Sequence, residues 1–353
     1  MEYRIVHHQL QFVKPAKTSR NVFKERHIRY IVLTHNGVTG IGEAAPLHLL
    51  SIDDVDEYDE KLEAACTQFC EESFDFNFNF NLDFNLDFNL HPFPSIRFGL
   101  ESAFLDLKNG GKRRYFDTEF VSGKPIPING LVWMADLEAM YEEAVTKINS
   151  GYKCIKFKVG QHDFDAECRL LERIRTDHSA FNLEIRLDAN GAFLADEALA
   201  QLKELSRFDI HSIEQPVAVN QWDDMAKLSR ESKIDIALDE ELIGVDVFKD
   251  GEQLLKHIRP QYVILKPNLV GGFSVSDEWV KLCRKHHIGW WATSALESNI
   301  GLNAIAQWVS QYDIDMPQGL GTGSLYSNNM DSPLEIRNQS LVYGKTAWDL
   351  ALF

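Results

Sequence analysis

Five ionisable residues recur at one position of a repeating pattern. Lys158 lies near the end of the run CIKFKVG, Asp188 of LEIRLDANG, Glu214 of HSIEQP, Asp239 of DIALDE and Lys266 of YVILKPN. Successive members are 30, 26, 25 and 27 residues apart, about one strand-plus-helix unit each. Residues in phase over such units come together at one end of a parallel sheet. Three converging carboxylates, Asp188, Glu214 and Asp239, raise one another's pKa and call for a neutralising cation. With oxygen donors and neither His nor Cys in the set, they suit a hard ion such as Mg2+ rather than zinc. Lys158 and Lys266, four strands apart, are expected to face each other across the acids. Burial, the metal and the neighbouring Lys156 are expected to lower the pKa of Lys158 toward that of a working base. The chemistry this describes is removal of a proton next to a metal-bound carboxylate.

These residues need a frame. PINGLVW (127–133), the five runs above, GWWATSA (289–295) and the less regular DIDMPQGLG (313–321) make eight strand-like stretches. Amphipathic segments such as DAECRLLERIRTD and SDEWVKLCRKHH lie between them. Eight strands alternating with helices predict a closed parallel β/α barrel, a modified TIM barrel, although an open doubly wound sheet shares the local signature. Ahead of it, EYRIVHHQLQF and HIRYIVLTHNGVTGIGEAAP alternate in period two around an HNG turn, and helical segments follow. We expect an α+β capping domain over 1–123, a catalytic barrel over 124–320, and a C-terminal segment, 321–353, that returns to complete the cap. The run SFDFNFNFNLDFNLDFNLHP (73–92) alternates Phe or Leu with Asn or Asp and reads as an expanded linker.

Composition narrows the functional classes. The 353 residues carry a formal charge of −17, which opposes a phosphate backbone and argues against nucleic acid. No stretch approaches the roughly 20 apolar residues of a membrane span, and the first residues lack a signal-peptide pattern. Five cysteines without a CxxC pair are expected to be reduced thiols of a cytoplasmic protein. Cys66 and Cys70, four apart, read as structural. A small-molecule partner is expected, and the sequence does not decide between a monomer and a homo-oligomer.

The motifs K-F-K (156–158), D-A-N (188–190), I-E-Q-P (213–216), L-D-E-E (238–241) and L-K-P-N (265–268) together resemble the muconate-lactonizing subgroup of the enolase superfamily. The resemblance covers nearly the whole chain. TSALESNIGLNAIAQW (293–308) and PQGLGTGSLYSNN (317–329) narrow it to the o-succinylbenzoate synthase family. A Lys or His base working with Mg2+ is the known pattern of that superfamily. The resemblance implies a carboxylate substrate, a hydro-lyase reaction of menaquinone biosynthesis, and Mg2+ as cofactor with Mn2+ as a substitute. It implies Lys158 as base and then acid, Lys266 against the opposite face of the substrate, and Asp188, Glu214 and Asp239 as metal ligands. It also implies that Ser294, Asn190, Gly319 and Gly321 line the substrate pocket, with the 17–26 loop closing over it. The competing reading is racemisation of N-acylamino acids or epimerisation of dipeptides by the same lysines. The pair Asp313 and Asp315 could serve that reading by holding a substrate amine, but the glycine-rich stretch that follows them suits a different ligand.

Overall fold

The computed structural model describes residues 1–17, 22–71, 90–313 and 315–353. Residues 73–89 of the alternating run, and 18–21 of the loop expected to close over the pocket, lie outside them. At the N-terminus β1 (Glu2–Lys17), β2 (Val22–His35) and β3 (Val38–Ala44) form an antiparallel sheet in that order. Asn36 and Gly37, at φ 49° and 78°, make the β2–β3 turn, where both central residues need positive φ. A register shift between Gln11 and Ala16 bulges β1 outward.

Two helices, α1 (Tyr58–Glu71) and α2 (Pro94–Lys108), cover one face of this sheet. The sequence permits an unusually close approach of α2 to β3. A Cβ on Gly42 would lie 1.9 Å from the Gly99 carbonyl oxygen, and one on Gly40 2.2 Å from that of Ala103. Ile31, Leu33, Leu62, Phe69, Ile96 and Leu100 fill the space between the layers. Cys66 is buried on α1, Cys70 is half-buried, and all five thiols are free.

The chain then passes through β4 (Ile126–Pro127) into seven parallel strands. They are β5 (Gly130–Val132), β6 (Cys154–Lys158), β7 (Glu184–Asp188), β8 (Ser212–Glu214), β9 (Asp235–Leu238), β10 (Tyr262–Leu265) and β11 (Gly289–Ala292). Each pairs with the next in sequence order. The expected eighth strand contracts to two parallel bridges, Ile128 with Gln318 and Thr293 with Gly319, which link the two edges of the sheet. The reason is local. Pro317 has no N–H to give, and the Gln318 side chain replaces part of the ladder, accepting from Ala292 N at 2.7 Å and donating to the Met316 carbonyl at 2.6 Å. The result is a closed β/α barrel.

Beyond the barrel, β12 (Leu334–Arg337) and β13 (Ser340–Tyr343) pair with each other, and β13 pairs with β4. Tyr326 bridges Phe12 of β1, and Tyr326 and Met330 pack with Leu10, Ile28 and Tyr30. The C-terminal segment therefore touches the N-terminal sheet and the barrel entrance.

Two buried carboxylates tie the N-terminal unit to barrel helices. Glu101 of α2 accepts from the backbone N–H groups of Phe273 (2.6 Å) and Ser274 (3.0 Å), in the first turn of the helix Gly272–His286. Glu43 of β3 accepts from Ser298 N and Gly301 N, both at 3.0 Å, at the start of the helix Asn299–Val309. Both supply partners to N–H groups that a helix leaves unpaired. Burial pushes the Glu101 carboxyl up to about 7, against the lowering effects of Arg97 and the two N–H donors. The fold thus binds this proton more tightly than the unfolded chain, so the associated stability is present at acidic pH and is lost as pH rises from about 4.5 through 7. Wild type should lose on the order of 2 kcal/mol relative to Glu101→Gln over that interval. Thermal melts of both proteins at pH 5 and pH 8 check this, and parallel pH profiles would contradict it.

Candidate active site

The five in-phase residues do converge. Lys158, Asp188 and Glu214 stand level on β6, β7 and β8, paired in register Lys158 to Asp188 and Asp188 to Glu214. Asp239 lies two residues beyond Ala237, the register partner of Glu214. Lys266 lies three beyond Val263, which pairs with Leu238. This climb around the ring is the stagger that closing a barrel imposes.

Inside the barrel the charges alternate. Lys158 Nζ donates to Asp188 Oδ2 (2.6 Å), and Lys156 Nζ donates to the same oxygen (3.0 Å) and to Glu214 Oε2 (2.7 Å). Lys266 Nζ lies 3.8 Å from Glu214 Oε1 and hydrogen-bonds to Asp239 Oδ2. The order is Lys158, Asp188, Lys156, Glu214, Lys266, Asp239, and all six side chains are buried.

Three ammonium groups lie between and beside the three acids. Asp188 bridges the like charges of Lys156 and Lys158. Burial lowers the Lys156 pKa, but Asp188 and Glu214 outweigh it and hold Lys156 above the ordinary lysine value. Lys266 is likewise held high, with Asp239 and Glu214 overcoming its burial. Asp188 is pulled well below the carboxylate range, its burial overcome by Lys156 and Lys158.

Glu214 behaves differently. Burial, and then the neighbouring Asp188 and Asp239, push its carboxyl above the ordinary glutamate value, against the lowering effect of Lys156 and Lys266. Its Oε1 is buried without a hydrogen-bond partner. An orphaned carboxylate oxygen between two other acids is a place for further positive charge, so the donor set fits a hard cation in its chemistry. Among the described residues no three Asp, Glu, His or Cys side chains already form a compact metal-holding cluster. The interleaved lysines account for that.

Above the row lies a cavity of about 780 Å3, lined in part by Lys156, Lys158, Lys266, Asn190, Trp133 and Leu296. Ser294, Gly319 and Gly321 also line it. Asn190 accepts from Lys158 Nζ at 2.9 Å and donates to Glu240 Oε1 at 2.9 Å, so it orients the lysine. The Ser294 hydroxyl is committed to its own turn, donating to Glu297 Oε2 (2.6 Å) and accepting from Leu296 N (3.0 Å). Gly319 is small by necessity, since a Cβ there would meet Thr293 Oγ1 at 2.6 Å. Of the described part of the 17–26 loop, Phe23 lines the cavity, whereas Arg26 is buried away from it. Sequence reasoning passed over Glu240, although the second acid of L-D-E-E was its signal. It also missed Leu47 to Leu50 and the bulge residues 13–15, whose places on the rim depend on how the N-terminal sheet docks.

Comparison with known proteins agrees with this architecture. A family model described as "Enolase C-terminal domain-like" matches residues 139–341. The o-succinylbenzoate synthase of Desulfotalea psychrophila is 43% identical over 95% of this chain and 97% of its own length. The crystal structure of MenC from that organism superposes with a TM-score of 0.86, at 40% identity, covering 97% of this chain and 99% of that one. A dipeptide epimerase from Cytophaga hutchinsonii, complexed with Mg and a dipeptide, shares the fold with a TM-score of 0.83 at 19% identity, over 99% of this chain and 94% of its own. On the parallel barrel, its buried lysine–carboxylate row and the near full-length similarity, the chain belongs to the o-succinylbenzoate synthase family of the enolase superfamily.

Proposed function

We propose that the protein dehydrates 2-succinyl-6-hydroxy-2,4-cyclohexadiene-1-carboxylate to o-succinylbenzoate, as a hydro-lyase of menaquinone biosynthesis. One observation carries the reading: Lys158 and Lys266 reach one group of carboxylates from β6 and β10, on opposite sides of the cavity floor, in a chain 43% identical to a protein named for this activity. Asp188, Glu214 and Asp239 would hold the divalent cation, Mg2+ or Mn2+, which supplies stabilisation of negative charge developing on the substrate carboxylate.

The chain's own residues move the proton. Two of the three N–H positions of Lys158 are taken by Asp188 and Asn190, and the third is left for the cavity that Lys158 lines. From there its neutral amine removes the proton on the ring carbon bearing the carboxylate. The resulting ammonium returns a proton to the hydroxyl group leaving the adjacent ring carbon, so water departs from the same face. Lys266, kept cationic by Asp239 and Glu214, rests against the other face of the ring. The depth of the row keeps bulk water from these groups.

The dipeptide-epimerase reading loses the amine holder that Asp313 and Asp315 would supply. Asp313 and Asp315 are exposed and precede the bridge at Gln318, and neither lines the cavity. A direct dehydration assay with the cyclohexadiene, run beside racemisation of an N-succinylamino acid, tests the proposal. Efficient dehydration is expected, and racemisation without dehydration would overturn it. We also propose the three-part division at 123 and 320, on the separate cores and the C-terminal contacts with β1, and a cytoplasmic location, on the five free thiols.

A further inference from the structure

Arg26 lies on β2, facing the seam between the N-terminal sheet and the barrel. Its side chain is 3% exposed. Its acceptors are all backbone carbonyls: Pro46 and Ala45 (2.6 Å) from the N-terminal unit, and Ala295 (3.4 Å) and Leu296 (3.3 Å) from the barrel. Among the described residues no carboxylate forms an ion pair with it. Burying a guanidinium without a partner anion is costly unless its donors are well used. Here the planar fork takes hold of four carbonyls on two sides of the seam at once.

The barrel side of this grip is the cavity wall. Thr293, Ser294, Ala295 and Leu296 all line the cavity. Leu296 sits at φ +66°, a conformation that costs a leucine about 1 kcal/mol or more and must be held by its surroundings. Its carbonyl takes a second donor, the Tyr326 hydroxyl, at 2.7 Å, and its N–H is held by Ser294 Oγ at 3.0 Å. The strained residue is thus fixed by β2, by the C-terminal segment and by its own turn. None of these holders touches the lysine–carboxylate row.

We infer that Arg26 is a positioning residue for substrate binding: by gripping the Ala295 and Leu296 carbonyls it keeps Leu296 left-handed, so that the 293–296 wall is shaped to receive the chain carried by the substrate ring. The inference rests on the dehydratase reading for the identity of that substrate. It assigns to the N-terminal sheet a share of the binding energy without a direct contact, and it leaves the proton-moving groups undisturbed.

The test uses the full chain loaded with Mg2+, comparing wild type with Arg26→Met, Arg26→Lys and Tyr326→Phe. Arg26→Met should raise KM about 10-fold while kcat stays within about 3-fold, the pattern of lost uniform binding. The dissociation constant for o-succinylbenzoate should rise in proportion, and Arg26→Lys should recover part of both. Tyr326→Phe, which removes one donor from the same carbonyl, should raise KM about 2- to 3-fold and decides the matter if Arg26→Met does not fold. Hydrogen exchange should quicken across 293–298 in each variant and stay unchanged at β6 to β8. A folded variant with wild-type KM and product affinity, or one that loses kcat at constant KM, would overturn the inference. If wild type does not dehydrate the cyclohexadiene, the functional reading fails instead, and hydrogen exchange alone decides the role of Arg26: acceleration confined to 293–298 supports it and none refutes it.

Discussion

Lys158→Ala is expected to abolish turnover, by at least the 100- to 10,000-fold that general acid–base groups typically contribute, because one amine both takes the proton and returns it to the leaving group. The fold should survive. Asp188 keeps Lys156 as its partner at 3.0 Å after the substitution, so no carboxylate is stranded. Steady-state assays together with a thermal melt separate the two effects. Retained activity at more than about one tenth of wild type would remove Lys158 from the mechanism. A melt lowered by tens of degrees would show instead that the substitution breaks the barrel.

Glu214→Gln should have the second largest effect. Glu214 occupies the middle of the charge row, touching Lys156 through Oε2 and lying 3.8 Å from Lys266 through Oε1. The amide keeps the shape but gives up the negative charge that the lysines and a divalent cation require. Titration calorimetry should show Mg2+ affinity weakened about 100-fold or more, with activity falling at least as far. Glu214→Ala is the harsher change. Lys156 keeps Asp188 and Lys266 keeps Asp239, but three buried ammonium groups then face two carboxylates, and the uncompensated charge should cost about 3–5 kcal/mol of stability as well. Wild-type Mg2+ affinity in Glu214→Gln would mean that the cation is held elsewhere.

The sequence made the strands and their charged ends legible because both depend on local pattern. Runs such as CIKFKV and LEIRLDANG carry their secondary structure in four to six residues, and the repeat length carries their phase. Alternation of lysine with carboxylate along the row could not be read this way. It depends on Lys156 and Lys158 reaching two different strands, which register and side-chain length decide. The eighth strand was read too long because a proline and two glycines say only that regular pairing weakens there. They do not say that the Gln318 side chain will take over from the backbone. Ser294 lines the cavity, yet its hydroxyl belongs to a turn that only the folded loop creates. Arg26 ends the stretch that the family resemblance places over the pocket, and its burial at the seam depends on how the N-terminal sheet docks, which no local pattern records.

The helices beginning at Gly272 and Asn299 receive their first-turn acceptors from Glu101 and Glu43, residues that precede the barrel in the chain. A ribosome therefore delivers the acceptors well over a hundred residues before the helix ends that need them. The two units cannot be traded between relatives as free-standing cassettes. A graft that changes either side of the seam must carry both carboxylates and the backbone they grip, so descent with modification should move the two halves together and leave the rim loops to vary.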